Sequence, residues 1–321
     1  MHTKSNSIRK FNHAAGRLQV RFALPPEAQA LQQYLRQHVV VPTSDWRCVS
    51  ADPEEKNWLA KGEHFAHAKN EYEWGENYKF DSLTEKLLTD IAVDMGLPVA
   101  ASAFIDHDEI YGPVYNDIDG ERRLIGVTTL ISGQLDEKAK CLFTSIEGAS
   151  QQLGPVGPHQ KDEDEDTEMT FRYLQMNSQL IPAFLSSSVF NVAIQNDDDH
   201  EGNFVVASPE EPQAIYAIDF ECSRLNHPKP HDYRHFKGIC MAEIFGRLAK
   251  PEHAPVIRDS LWAIENYPQQ QTKKLAERLL PVAIKSWNPQ EIAANIYQQG
   301  RYARQNVRKM LDRKTLRALD S

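Results

Sequence analysis

"NVAIQNDDDHEGNFVV", residues 191–206, is the stretch that decides how this chain is read. An apolar run ends in three consecutive aspartates, Asp197, Asp198 and Asp199, and a second apolar run starts at Phe204. Neighbouring carboxylates repel one another, so such a cluster in hydrophobic sequence asks for a positive partner. Upstream, Ile181, Phe184, Leu185, Val189, Phe190 and Ile194 recur at helical spacing, which predicts a helix delivering the chain into the aspartates. Downstream, "NFVVAS" and "QAIYAID" flank "PEEP" and predict a hairpin, with Asp219 of "IDFE" at the end of its second strand. The expected order is helix, acidic loop closed by Asn203, hairpin, and a further Asp.

Phosphoryl transfer uses this set of parts. One carboxylate orients the acceptor hydroxyl, while an Asn and a second Asp hold Mg²⁺ against nucleotide phosphates. Asp198 stands at the D-x-x-x-x-N spacing from Asn203, which makes it the candidate catalytic residue. Asn203 and Asp219 are the candidate metal ligands. Divalent cations and a bound nucleotide complex would make the acidic loop tolerable. The plainer alternative is a solvated turn or a calcium-binding loop. His200 is expected to serve the loop as a hydrogen-bonding residue rather than as a proton carrier.

Composition narrows the classes. The chain has 321 residues, 41% of them hydrophobic and 25% charged, as in an ordinary globular protein of about two domains. A net charge of −9 argues against a general nucleic-acid coat, so no specific nucleic-acid partner is expected. Cys48, Cys141, Cys222 and Cys240 lie far apart with no CxxC pair, which points to reduced thiols and a cytoplasmic setting. No apolar stretch approaches the roughly 20 residues of a membrane span. Residues 1–17 are expected to be a loose basic leader without a secretory apolar segment, followed by a short strand over 18–24. No HExxH, GxSxG or GxGxxG pattern occurs, which disfavours zinc hydrolase, serine hydrolase and dinucleotide readings.

The front half is expected to be mixed and the back half helical. A short helix is predicted over 25–39, and strands in "DWRCVS", "KNWLAKGEHF", "VAASAFI" and "RRLIGVTTLI". "DSLTEKLLTDIAVDMGLP" is the clearest helix, with an apolar stripe of Leu83, Leu87, Leu88, Ile91 and Met95 stopped by Gly96 and Pro98. Residues 133–167 are expected to be loop-like and to take in most of the acidic run 162–168. The domains are accordingly 1–130 and 131–321, with an acidic insertion near 155–168. Asn288 is predicted to cap a helix beginning at Pro289. "RYARQNVRKMLDRKTLRALD" is expected to be one final helix, packed by Val307, Met310, Leu311 and Leu316 under a basic face.

"NDDDHEGN" resembles the N-x-D-D-H-x-x-N catalytic loop of HipA-like kinases, and is similar to the loop of phosphatidylinositol 3-/4-kinase relatives. "IDFE" resembles their metal-binding segment. "WLAK" resembles the strand carrying the nucleotide-binding lysine, here Lys61, and "TEKLLTDIAVDMGLPVAASAFI" the helix carrying its partner glutamate, here Glu85. The resemblance spans residues 58–223. It implies an α+β, two-lobed protein-kinase-like fold with a small mixed-sheet N-lobe and a larger, mainly helical C-lobe. It also implies ATP and Mg²⁺ as cofactors, with Lys61 on the phosphates, oriented by Glu85. The acceptor it suggests is a Ser or Thr of a protein; an inositol lipid is the second choice. A nucleotide-binding pseudokinase scaffold is the alternative from another class. Two departures stand out: no glycine-rich phosphate loop precedes Lys61, and Glu221 replaces the glycine of D-F-G. Ser82-x-x-Glu85 also fits a capping box, which would turn Glu85 back onto its own helix.

Overall fold

The structure is a computed structural model and describes residues 33–35, 37–41, 47–48, 57–61, 64–68, 76–106, 124–130, 143–145, 149–150, 163–196, 198–207, 214–220, 223, 225, 240–283 and 285–321. Two sheets organise the strands. The first has six: β1 (Val40–Val41), β5 (Ala101–Asp106), β6 (Leu124–Leu130), β4 (His64–Ala68), β3 (Asn57–Lys61) and β2 (Arg47–Cys48), in that order. β1 and β5 run parallel and the other neighbours antiparallel. The second has three, β7 (Phe143–Ser145), β8 (Phe204–Ala207) and β9 (Ala214–Ala217), all antiparallel. The longer described helices are α1 (Glu76–Met95), α2 (Glu163–Met176), α3 (Ile181–Ile194), α4 (Cys240–Leu248), α5 (Ala254–Glu265), α6 (Gln269–Arg278), α7 (Pro289–Met310) and α8 (Arg313–Asp320), and residues 33–35 and 37 are helical within the stretch expected as a short helix. The fold is thus α+β and mostly helical.

The helix α1 follows from its stripe. Leu83, Leu87, Leu88, Ile91 and Met95 are all buried, each worth roughly 1.5–3 kcal/mol over an exposed side chain. Its end is a Schellman turn. Gly96 sits at φ +85, Gly96 N–H donates to Val93 O at 3.0 Å, and Leu97 N–H donates to Ala92 O at 2.9 Å. The chain leaving α1 then lies along β9, where Ala217 N–H donates to Pro98 O at 3.0 Å and Ala100 N–H donates to Ala217 O at 3.1 Å. This junction ties α1 to the hairpin. Leu83 and Leu87 share one apolar cluster with Phe184, Phe190, Phe204 and Phe220. On α1 itself Lys86 Nζ forms a buried ion pair with Asp90 Oδ1 at 2.7 Å, and it also donates to Leu35 O at 3.3 Å, which ties the helix to the segment before β1.

Several expectations change. α1 starts at Glu76, so Ser82 and Glu85 lie within the helix, and the capping-box reading of Glu85 fails. β7 lies in the stretch expected to be loop; three residues between polar segments carry too little periodicity to signal a strand. The acidic run is not loop throughout, because α2 begins at Glu163, and acidic residues suit the positive end of a helix dipole. The expected last helix is two, breaking between Met310 and Arg313, where Asp312 caps α8 by accepting from Thr315 N–H at 2.7 Å. Asn288 caps α7 as expected, accepting from Gln290 N–H and Glu291 N–H. The leader, the strand expected over 18–24 and residues 155–162 lie outside the described residues.

Candidate active site

The acidic loop starts from the C-terminus of α3. Gln195 turns the chain at φ 54, a left-handed position more often held by glycine, and Asn196 N–H closes the turn on Asn191 O at 3.1 Å. Every residue of α3 but Pro182 is buried, and Gln195 itself is buried as well. The loop then closes on a short 3₁₀ turn, Glu201–Asn203. His200 caps that turn, its Nδ1 accepting from Gly202 N–H at 3.0 Å. The acceptor role of Nδ1 puts the ring proton of neutral His200 on Nε2, which lies 3.8 Å from Asp198 Oδ2. His200 is thus the hydrogen-bonding loop residue that was expected.

The two described aspartates of the trio have opposite surroundings. The Asp198 side chain is 51% exposed, whereas Asp199 is buried and accepts from Asn191 Nδ2 at 2.6 Å. Burial pushes the Asp199 carboxyl up to about 7; the Asn191 bond opposes this, and the charges of Glu201 and Asp198 add to it. Asp197 lies outside the described residues.

Asn203 and Asp219 come together through the hairpin register. Phe204 pairs with Ala217, so Asn203 stands beside Ile218, and Ile218 N–H donates to Asn203 O at 3.0 Å. Asn203 Nδ2 reaches back to donate to the carbonyl of Asp198. Asp219 follows at φ 65, a left-handed conformation that Asp tolerates better than most residues but that its surroundings must hold. Asn196 Nδ2 donates to the Asp219 carbonyl at 3.0 Å, and Asn196 Oδ1 accepts from Asp198 N–H at 3.4 Å. The structure thus brings Asp198, Asn203 and Asp219 into one hydrogen-bonded unit.

Glu85 reaches the same unit from α1. It is buried, and Oε2 accepts from the Phe220 N–H, next to Asp219. Thr89 Oγ1 donates to its other oxygen at 3.4 Å. Phe220 in turn packs edge-on against Phe190 at 5.5 Å between ring centroids. Lys61 ends β3, opposite His64 of β4; its side chain lies outside what the structure describes, so its pairing with Glu85 stays a proposal.

The donor chemistry of Asn203 and Asp219 is hard oxygen, one amide and one carboxylate. That suits Mg²⁺, which keeps waters and takes phosphate oxygens beside one or two protein ligands. Asn203 uses its NH₂ group on Asp198 O, which leaves its amide oxygen as the atom able to ligate. The sequence reading overlooked Asn191 and Asn196 as contributors. Their signal was an amide side chain at each end of the apolar "NVAIQN", where burial demands a polar partner.

No family model matches the chain, and no curated protein matches it by sequence. Among solved structures it is similar to the proinflammatory kinase CtkA of Helicobacter pylori, at 10% identity and a TM-score of 0.45, over 88% of this chain and 99% of that one. It is also similar to HipA in the HipA, HipB and operator DNA complex of Shewanella oneidensis MR-1, at 11% identity and a TM-score of 0.36, over 94% and 76%. A third is a proposed aminoglycoside phosphotransferase from Ralstonia eutropha JMP134, at 13% identity and a TM-score of 0.25, over 86% and 98%. No described helix is long and apolar enough to cross a membrane.

Proposed function

We propose that this chain is a phosphotransferase of the HipA-like kind, using ATP and Mg²⁺ to phosphorylate a Ser or Thr of a protein in the cytoplasm. The observation that carries it is the hydrogen-bonded unit of Asp198, Asn203 and Asp219, which joins a base candidate to two hard-oxygen ligands. Asn203 and Asp219 would hold the cation. Bound Mg²⁺ would offset the charge of the nucleotide phosphates. Asp198 would orient the acceptor hydroxyl, and its exposure leaves room for one. Asp199 is unsuited to that role, since it is buried on Asn191. Lys61 would contact the phosphates, with Glu85 beside it, and the cleft would lie between an N-lobe ending near residue 130 and a C-lobe after it.

A protein acceptor is preferred over an inositol lipid because the basic C-terminal face is partly neutralised within the fold. Arg304 forms a two-pronged pair with Glu265 at 2.7 Å on each prong, and Arg308 pairs with Asp320. Incubation with labelled ATP and Mg²⁺, alone and with cell extract, tests the proposal. Labelled protein bands are expected. Mg-ATP stabilisation without any transfer would favour the pseudokinase scaffold, and stabilisation by Ca²⁺ alone would favour a calcium loop.

A further inference from the structure

We propose that Asn196 is a positioning residue that locks the base-bearing loop to the metal-bearing strand end, an inference that rests on the phosphotransfer reading above. Asn196 is fully buried, so both polar atoms of its side chain need partners. Each finds one on a different catalytic segment. Nδ2 donates to the Asp219 carbonyl at 3.0 Å, and Oδ1 accepts from Asp198 N–H at 3.4 Å. The Asn196 backbone is held as well, donating to Asn191 O and bridging Ser223 in antiparallel fashion.

The peptide joining Asp219 to Phe220 explains why this matters. Its carbonyl is held by Asn196 and its N–H by Glu85, both buried side chains from other elements. Asp219 sits at φ 65, and rotating that peptide would break both bonds at once. The direction of the Asp219 carboxylate depends on this backbone conformation, so Asn196 sets the metal ligand without touching the metal. Through its amide oxygen, which accepts from Asp198 N–H, it sets the Asp198 backbone in the same frame. Only a short side chain with both a donor and an acceptor does this; Asp lacks the donor and Leu lacks both.

The test measures initial rates of phosphate transfer by the full chain against Mg²⁺ concentration at fixed ATP and pH 8. Asn196→Asp keeps the shape and the acceptor for Asp198 N–H, but its ionised carboxylate faces the Asp219 carbonyl without a donor. Half-saturating Mg²⁺ should rise about 10–100-fold, as when a partner that orients a metal ligand is lost. Rate at saturating Mg²⁺ should stay within about three-fold of wild type, since the base frame is kept. Asn196→Ala loses both bonds and should show the same Mg²⁺ shift with a rate at least about ten-fold lower. Ser260→Ala is the stability control, because it breaks the buried 2.7 Å bond to Ser186 away from the loop. It should lower the melting temperature and leave half-saturating Mg²⁺ unchanged. Wild-type Mg²⁺ dependence in an active Asn196→Asp protein overturns the proposal, as does an equal shift in Ser260→Ala. A wild-type chain that neither transfers phosphate nor is stabilised by Mg-ATP overturns the phosphotransfer reading, and this inference with it.

Discussion

Asp199→Asn separates the shape of the acidic loop from its charge. The new amide is isosteric, and its oxygen can still accept from Asn191 Nδ2, so the 2.6 Å bond has a replacement. What disappears is ionisation in a buried place. The carboxyl moves from an ordinary value of 3.8 to about 7 in the folded chain. Between those values the folded state binds more protons than the unfolded state, so wild-type stability falls as pH rises from about 4 to about 7 and levels off above. At about 1.4 kcal/mol per pKa unit, the roughly three-unit shift (7 less 3.8) sets a ceiling of about 4 kcal/mol. Water entering the loop once Asp199 is charged should reduce this, to about 2–4 kcal/mol. The assay is urea unfolding of metal-free wild type and variant at pH 4, 6 and 8, in chelator. Groups such as Glu168, which Arg247 holds below the usual carboxylate range, titrate in both proteins and cancel in the difference. The variant should gain on wild type steadily from pH 4 to 7. Parallel stability curves across that window would refute the argument that burial, rather than a compensating charge, defines Asp199.

Four further outcomes are expected. Asp198→Asn should keep Mg-ATP affinity by calorimetry while lowering transfer roughly 10²–10⁴-fold; normal turnover would show that another residue orients the acceptor. Asp219→Ala should lose Mg-dependent ATP binding, and wild-type affinity in that variant would remove it from the metal site. Lys61→Met and Glu85→Gln should each cut turnover, with the double variant losing much less than the product. Additive losses would mean that the two do not act together. Gly202→Ala would put a Cβ 2.5 Å from His200 Cε1 and 2.8 Å from Nδ1, so the ring must leave its cap. Urea unfolding should show about 0.5–2 kcal/mol lost, and an unchanged midpoint would mean the cap contributes nothing.

The parts legible in the sequence were those with a strong local period or a fixed chemical spacing. The α1 stripe ending at Gly96 is one, because an apolar face and a left-handed stop are both written locally. The helix, acidic loop and hairpin around Asp198 are another, and the register places Asn203 beside Ile218, the residue before Asp219. What escaped notice depends on contacts far apart in the chain. β7 acquires meaning only by pairing with β8, some sixty residues later. The partner of Glu85 is a backbone N–H 135 positions away, and the neighbouring Ser82 gave a local pattern that competed with it. Asn196 sat inside the quoted motif, yet its bond to the Asp219 carbonyl needs the fold to bring residues 23 positions apart together.

The three aspartates pose one question of charge, and the structure divides the answer by environment. Asp198 stays at the surface, where water screens its charge, with His200 Nε2 3.8 Å away. Asp199 goes inside, where burial disfavours its charge and Asn191 supplies a neutral partner. Repulsion between Asp198 and Asp199 is therefore relieved twice, by screening at one position and by favouring the neutral form at the next. Under the proposed function that division would also separate roles. A group that must meet an acceptor hydroxyl has to be reachable, and a group that shapes the loop must be packed. Two adjacent residues with identical side chains meet these opposite demands, one exposed and one buried. Asn191, Asn196 and Asn203 then supply the amide hydrogen bonds to the loop and to Asp219. An amide can hold a carboxylate, a carbonyl or a backbone N–H without adding charge; under the proposed function the remaining negative charge would fall to a divalent cation.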